Sequence, residues 1–283
     1  MISDLPLHPQ LLRAADELGF TEPTAVQSDA IPAALTGRDL IVCSKTGSGK
    51  TAAFLLPTLN LMLDHDAPKS GTRVLILLPT RELALQTRRT FDAMARYTQI
   101  KCGLIMGGEA FNHQAATLRK NPEVIIATPG RLVEHIEKGT PDFRDLEVLV
   151  LDEADRMLDM GFIPDIRRVI ARLPDRRQTL MFSATFSAPI RKLATGLLNH
   201  PVQIQVAPAN QTVRSVEQVV HPCDMVRKID LLSHLIRNGE WLQVLVFSRT
   251  KHGANRVVER LSQQGLLAAA IHGNKSQGAR TRA

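Results

Sequence analysis

Leu146-Glu147-Val148-Leu149-Val150-Leu151-Asp152-Glu153-Ala154-Asp155 is an apolar run closed by acids. The run reads as a parallel strand buried on both faces, where apolar residues need not alternate with polar ones. Two carboxylates directly at a strand's end serve packing poorly. They suit the start of a helix, whose dipole favours negative charge. They also suit chemistry beside a nucleotide phosphate. A site for such a phosphate stands upstream. Ser44-Lys45-Thr46-Gly47-Ser48-Gly49-Lys50-Thr51 follows a second apolar strand, Leu40 to Cys43, and opens an apolar-periodic stretch. Strand, glycine-rich loop and helix in that order make a P-loop. Gly47 and Gly49 let backbone N–H groups close on phosphate oxygens without a Cβ in the way. Lys50 supplies a charge to the phosphates, Thr51 offers a hydroxyl to Mg²⁺, and the helix presents its positive end. With the P-loop in place, Asp152 reads as an acid that holds Mg²⁺, and Glu153 as the group that orients and polarises the attacking water.

Around these two segments, apolar runs alternate with amphipathic stretches. Strands are predicted at 39–43, 73–78, 101–106, 123–127, 146–151, 178–183 and 201–206. Helices between them include 50–63, 81–97, 113–120, 130–138, 163–173 and 187–198. This alternation predicts a parallel α/β sheet covered on both faces, with ligands at the carboxyl ends of its strands. Residues 1–206 form the expected first domain and 207–213 a short linker. Residues 214–283 carry a second, shorter alternation, with strands at 216–222, 243–248 and 267–271, and helices at 225–238, 251–264 and from about 276.

Of the 283 residues 44% are hydrophobic and 22% charged, an ordinary globular composition with no apolar run long enough to span a membrane. The N-terminus lacks a basic and apolar leader. Cys43, Cys102 and Cys223 show no metal-ligand spacing and suit a reducing, cytoplasmic setting. Net charge is +7, and it is uneven: residues 1–213 carry +1 and residues 214–283 carry +6. A basic second segment fits a polyanionic partner, or equally a solvated face. Aromatics are 4%, too few for the stacking platforms of single-strand binders, so nucleic acid would be held by its backbone.

Further motifs follow predicted strands. Asp152-Glu153-Ala154-Asp155, Ser183-Ala184-Thr185, Pro79-Thr80-Arg81-Glu82-Leu83 and Thr128-Pro129-Gly130-Arg131 resemble, in order, the motifs of the DEAD-box RNA helicases. Gly19 to Gln27 is similar to that family's Q motif, Gly107-Gly108 to its paired glycines, and Val246-Phe247-Ser248-Arg249-Thr250 to its motif IV. Ile271 to Arg280 resembles the segment ending in Gln-x-x-Arg, in the spelling of the bacterial RhlE subgroup.

The resemblance implies two RecA-like domains, the second incomplete, and ATP-dependent separation of short RNA duplexes. It implies ATP and Mg²⁺ as ligands, RNA as a partner gripped by its backbone without sequence selection, and no membrane. Phe20 and Gln27 would face adenine, Gln27 bonding its donor and acceptor. Ser44, Lys45, Thr46, Gly47, Ser48, Gly49, Lys50 and Thr51 would hold the phosphates. Thr51 and Asp152 would hold Mg²⁺, partly through water, and Glu153, Asp152 and Lys50 would carry catalysis. Ser183 and Thr185 would bond to Asp155 and couple nucleotide to RNA. Pro79, Thr80, Arg81, Glu82, Gly107, Gly108, Thr128, Pro129, Gly130 and Arg131 would meet RNA, joined by Phe247, Arg249, Gln277 and Arg280 of the second domain. For Thr128 and Ser183 taken alone, helix capping is an equal reading.

There are departures from the pattern. Ile2 stands where the family carries an aromatic near the base, and Lys45 replaces a Gln. Motifs V and VI, with the arginine finger, are expected after Ala283. The expectation is therefore a helicase impaired in turnover, or, as the alternative, a non-catalytic fragment that holds ATP and RNA. No oligomeric state is implied.

Overall fold

The computed structural model describes residues 1–63, 71–206 and 217–283. The chain divides into two compact units, Met1–Thr212 and Val213–Ala283. The predicted linker at 207–213 lies outside the described residues.

Among its described residues, the first unit is built on seven parallel strands: β1 (Leu40–Cys43), β2 (Val74–Leu77), β3 (Cys102–Ile105), β4 (Val124–Ala127), β5 (Val148–Leu151), β6 (Gln178–Ser183) and β7 (Val202–Gln205). Their order across the sheet is β3-β4-β2-β5-β6-β1-β7. The helices that accompany them are α1 (Pro9–Glu17), α2 (Ala25–Leu35), α3 (Lys50–Leu63), α4 (Arg81–Met94), α5 (Phe111–Leu118), α6 (Pro129–Glu137), α7 (Ala154–Asp159), α8 (Ile163–Ile170) and α9 (Ala188–Thr195).

Each central strand is apolar throughout because its side chains alternate between two cores. Val42, Ile76, Ile126, Val150 and Phe182 face one core, which α1 to α4 complete with residues such as Leu11, Ile31, Phe54 and Phe91. Ile41, Leu75, Ile125, Leu149 and Met181 face the other, completed by Leu132, Met157, Ile166 and Ile190. Phe54 and Phe182 meet edge to face at 5.4 Å. Burying one such side chain stabilises by roughly 1.5–3 kcal/mol. A one-residue slip of any strand would exchange the two cores.

Parallel pairing has one consequence for function. All seven strands end on the same edge of the sheet, so every loop that follows a strand opens there. The opposite edge is closed by polar clamps. Arg73 pairs with Glu147 at 3.0 Å and donates to Met62 O, tying α3 to β5. Asp39 accepts from the backbone of Thr179 and Asn199 at 2.7 Å.

The second unit holds α10 (Lys228–Asn238), α11 (Lys251–Gln263) and α12 (Gln277–Arg282). Here the expectation needs correcting. The strands foreseen at 243–248 and 267–271, and the described part of 216–222, form no ladder among the described residues. Apolar side chains of these runs are open to solvent: Val220, Leu245, Phe247 and Leu267 are all exposed. A helix satisfies its own backbone within the segment, whereas a strand needs a neighbour on at least one side. The two main helices of this unit therefore form, and the β-branched runs between them do not pair.

Candidate nucleotide and RNA site

The P-loop runs from the end of β1 into α3. Gly47 and Gly49 have φ of +77° and +93°, a region closed to most side chains. A Cβ on Gly49 would also come within 2.5 Å of Gln27 Nε2. The loop is folded on itself. Lys50, buried, donates from Nζ to Ser44 O at 2.8 Å. Ser48 Oγ donates to Lys45 O at 2.8 Å and lies 2.8 Å from Ser44 Oγ. Ser44, which stands where the P-loop pattern has Gly, thus adds a brace within the loop. Thr51 is half-buried, and Lys45, Thr46 and Gly47 are exposed at its rim.

Gln27 lies against this loop. Its Oε1 accepts from Thr24 N at 2.9 Å, capping α2, and its Nε2 donates to Gly49 O at 3.2 Å. A side-chain amide has two donors and two lone pairs. One of each is used here and one of each remains for a base. Phe20 is half-buried against the same core. Ile2 is not at the site's surface; it is a core residue, and its backbone N–H bonds to Thr21 O at 3.0 Å.

Asp152 directly follows β5 and is buried. Burial raises its carboxyl pKa from 3.8 to about 6, against the pull of the Lys50 ammonium. Its Oδ1 accepts from Glu153 N at 2.9 Å. Glu153 caps α7 with φ +52° and ψ +50°, a left-handed conformation that costs a non-glycine residue energy. That conformation turns the chain from strand to helix within one residue. The Glu153 carboxylate pairs with Arg156 at 3.3 Å. Arg156, one turn along α7, is not among the residues singled out from sequence, although Glu and Arg three apart on a helix are natural neighbours.

The expected coupling bonds are present in altered form. Asp155 Oδ2 accepts from Ala184 N at 3.2 Å and Thr185 N at 3.0 Å. The Ser183 hydroxyl does not reach Asp155; it donates to Thr185 O at 2.8 Å. The correction has a simple cause. Ser183 is the last residue of β6 and its side chain turns inward, so the backbone amides beyond it meet the carboxylate. Ser183 O in turn accepts from Ser44 N at 3.1 Å. The P-loop, α7 and the end of β6 are therefore joined by one backbone–backbone bond and two backbone amides on the Asp155 carboxylate.

On the other half of the same edge, Thr80 caps α4 through its hydroxyl, which accepts from Leu83 N at 3.4 Å. Pro79 is buried, and Glu82 is exposed. The Arg81 guanidinium lies on Gly108, where any Cβ would collide with it; Gly108 has φ +80°. Arg81 Nε is buried with no hydrogen-bond partner among the described residues. Pro129 takes the first position of α6, where its missing N–H costs nothing. Thr128 is the N-cap residue but its hydroxyl caps no amide, so the capping reading does not account for it. Gly130 leaves space toward Asp165. Arg131 donates to Glu109 O at 2.8 Å and pairs with Glu134 at 3.0 Å. Gly107, Gly108, Arg81 and Arg131 thus gather around one loop.

In the second unit, Phe247 and Arg249 are exposed, and Gln277 and Arg280 lie in α12. A cleft at the opposite edge of the first unit, beside Arg144 and Gln178, contains none of these residues. Among the described residues no helix is long and apolar enough to cross a membrane.

Residues 24–193 match the family model described as DEAD/DEAH box helicase. DEAD-box ATP-dependent RNA helicase 28 of Arabidopsis thaliana is 42% identical over 282 residues, 98% of this chain and 36% of the relative. ATP-dependent RNA helicase SrmB of Escherichia coli is 40% identical over 99% of this chain and 64% of its own length. The chain thus spans about a third of the length of the first relative and under two thirds of the second. A crystal structure of a DEAD box protein from Methanococcus jannaschii superposes with a TM-score of 0.68 at 32% identity, covering 99% of this chain and 75% of that one. A Saccharomyces cerevisiae Dbp5 variant bound to RNA and ADP BeF3 superposes with a TM-score of 0.88 at 29% identity, covering 99% and 71%. The chain belongs to the family of DEAD-box ATP-dependent RNA helicases.

Proposed function

We propose that this chain binds ATP and Mg²⁺ on the P-loop half of the sheet edge, grips RNA backbone on the other half, and hydrolyses ATP when both are held. The observation that carries this reading is the joined edge: Ser44 N to Ser183 O, and Ala184 N and Thr185 N to Asp155. A change at the phosphates can reach α7 through those bonds. Lys50 exchanges its Ser44 carbonyl for phosphate oxygen, and the backbone of residues 46–49 closes on the same group. Gln27 uses its remaining donor and acceptor on adenine, beside Phe20.

Thr51 and Asp152 suit a hard cation that takes oxygen ligands. The buried Asp152 carboxylate, held toward its protonated form by desolvation, fits such a charge. When bound, Mg²⁺ neutralises developing charge on the phosphate oxygens. Glu153 orients the attacking water, and Arg156 holds that carboxylate from the side. Arg81, whose buried Nε has no partner among the described residues, and Arg131 offer donors to RNA phosphates, with Thr80, Glu82, Gly107, Gly108, Thr128 and Gly130 forming the surface between them. Phe247, Arg249, Gln277 and Arg280 add contacts from the basic second unit. Backbone contacts position RNA without reading its bases. Within the family we place the chain nearest the bacterial RhlE subgroup, on the spelling of Ile271 to Arg280, and in the cytoplasm.

The test is phosphate release with and without a short RNA duplex, Glu153→Gln serving as control. Release stimulated by RNA and lost in the variant is expected. A wild-type chain that fails to bind ATP by calorimetry would overturn the assignment. A second reading, a holder of ATP and RNA with little turnover, is favoured by the unpaired apolar runs of the second unit. Binding of both ligands without stimulated release would decide for it.

A further inference from the structure

Gln114 is buried in α5, 21 residues from His135, which is also buried, in α6. Neither belongs to any motif singled out above. Gln114 Nε2 donates to Met106 O at 2.7 Å, the carbonyl just before Gly107-Gly108. The same nitrogen lies 3.3 Å from Glu109 Oε2, just after the glycine pair. One side-chain amide thus clasps both ends of the glycine turn. Its other end, Oε1, lies 3.3 Å from His135 Nε2. His135 stands one helical turn beyond Arg131, on the same face of α6. Arg131 itself donates to Glu109 O at 2.8 Å.

We infer that Gln114 and His135 are positioning residues, a buried rung that fixes the Gly107-Gly108 turn against the Thr128–Arg131 helix start so that both grip RNA as one surface. This rests on the RNA-binding role proposed for those two segments.

The protonation state follows from the partners. An amide oxygen only accepts, so His135 Nε2 carries the hydrogen. Nδ1 then holds a lone pair, and it is buried with no partner among the described residues. A core packed for stability alone would rarely choose that arrangement, since an apolar pair of the same volume leaves nothing unsatisfied. The ring is held flat by Phe111, stacked at 4.0 Å and 11°, and Lys138 Nζ covers Phe111 at 4.0 Å. Burial, with Arg131 adding to it, keeps the imidazole pKa below its ordinary value, so the ring stays neutral and the donor stays in place. There are therefore two rungs between α6 and the glycine turn. Arg131 makes the outer one and can leave it to meet a phosphate. His135 and Gln114 make the inner one, which remains when Arg131 lets go.

The experiment uses the full chain and a short fluorescein-labelled single-stranded RNA, read by anisotropy with a non-hydrolysable ATP analogue present. His135→Phe keeps the stack and removes the donor. His135→Gln keeps a donor. The expected result is RNA binding weakened about 3- to 10-fold in His135→Phe and near wild type in His135→Gln, the loss of one neutral hydrogen bond. ATP affinity should stay within about two-fold in both, since one bond far from the P-loop is lost. Gln114→Leu should weaken RNA binding at least as much as His135→Phe, since it also frees Met106 O, and the double variant should lose no more than Gln114→Leu alone, because the bond to His135 is already broken there. Equal RNA affinity in His135→Phe and His135→Gln overturns the inference, as does a loss of ATP binding that parallels the loss of RNA binding. Arg81→Ala separates the two layers of argument. If Arg81→Ala weakens RNA binding and His135→Phe does not, only the rung is wrong. If Arg81→Ala also leaves RNA affinity unchanged, the RNA surface itself is misassigned and the rung falls with it.

Discussion

Asp152→Asn should stabilise the ligand-free protein while removing its hydrolysis. The Asp152 carboxyl is buried, and desolvation raises its pKa from 3.8 to about 6. A group whose folded pKa is raised binds its proton more tightly in the native state, so native stability falls as pH rises between the two values. A rise of that size corresponds to about 3 kcal/mol at pH 7, with roughly half of that already lost at pH 5. Asparagine has nearly the same shape and keeps an oxygen to accept from Glu153 N. It carries no charge, so the pH-dependent cost disappears. Its own amide still has to be buried, which reduces the expected gain to about 1–3 kcal/mol. At roughly 2–4 °C per kcal/mol, the main unfolding transition should rise by several degrees.

The assay is a thermal melt of wild type and Asp152→Asn in EDTA at pH 5 and pH 7, repeated with Mg²⁺ and ATP. The gap between the two proteins should widen from pH 5 to pH 7, because only the wild type carries the buried carboxyl that loses its proton over that interval. Mg²⁺ and ATP should then narrow or reverse it, since the carboxylate gains a cation that the amide binds poorly. A variant that melts below wild type at pH 7 in EDTA refutes the reasoning, because it would mean that the buried charge is already well compensated by Lys50.

Lys50→Ala should weaken ATP binding by a factor of about 10 to 150, the loss of one charge-assisted contact worth roughly 1.5–3 kcal/mol, and calorimetry reads it directly. Glu153→Gln should bind ATP as wild type does and release no phosphate; turnover at the wild-type rate removes Glu153 from the mechanism. Glu153→Gly should raise the melting temperature by relieving about 1 kcal/mol of left-handed strain, and a lower melting temperature would show that the Arg156 pair outweighs it. Gly108→Ala should weaken RNA binding and spare ATP, because the new Cβ displaces the Arg81 guanidinium that occupies its place. RNA affinity should fall steeply with salt and ignore sequence; a marked preference among scrambled strands of equal length contradicts backbone recognition.

The parts of this fold that can be read from sequence are those whose residue types carry the physics. A parallel strand buried on both faces must be apolar at every position, and Val74–Leu77, Val124–Ala127 and Val148–Leu151 are. The helix starting at Lys50 is fixed by the loop before it. α2 is harder, because Pro32 sits inside it and a proline there argues against a helix. α7 is six residues long, so its period does not announce it, and the acids before it suit a helix start without foretelling the left-handed turn at Glu153.

The second unit shows where residue preference runs out. Val244 to Phe247 has the composition of a strand, and propensity alone favours reading it as one. Strand formation is a property of a pair, and composition names only one member of it. The same distinction explains the site. The roles proposed for Lys50, Asp152 and Glu153 belong to their side chains, so their identities announce them. The link from the P-loop to Asp155 passes through the N–H groups of Ser44, Ala184 and Thr185, which nearly every residue type possesses. Ala184 could be changed to many other residues without removing its bond to Asp155, whereas Asp155→Ala removes both bonds at once. Function here is thus carried partly by positions at which residue identity is informative and partly by backbone groups that only the folded edge brings together.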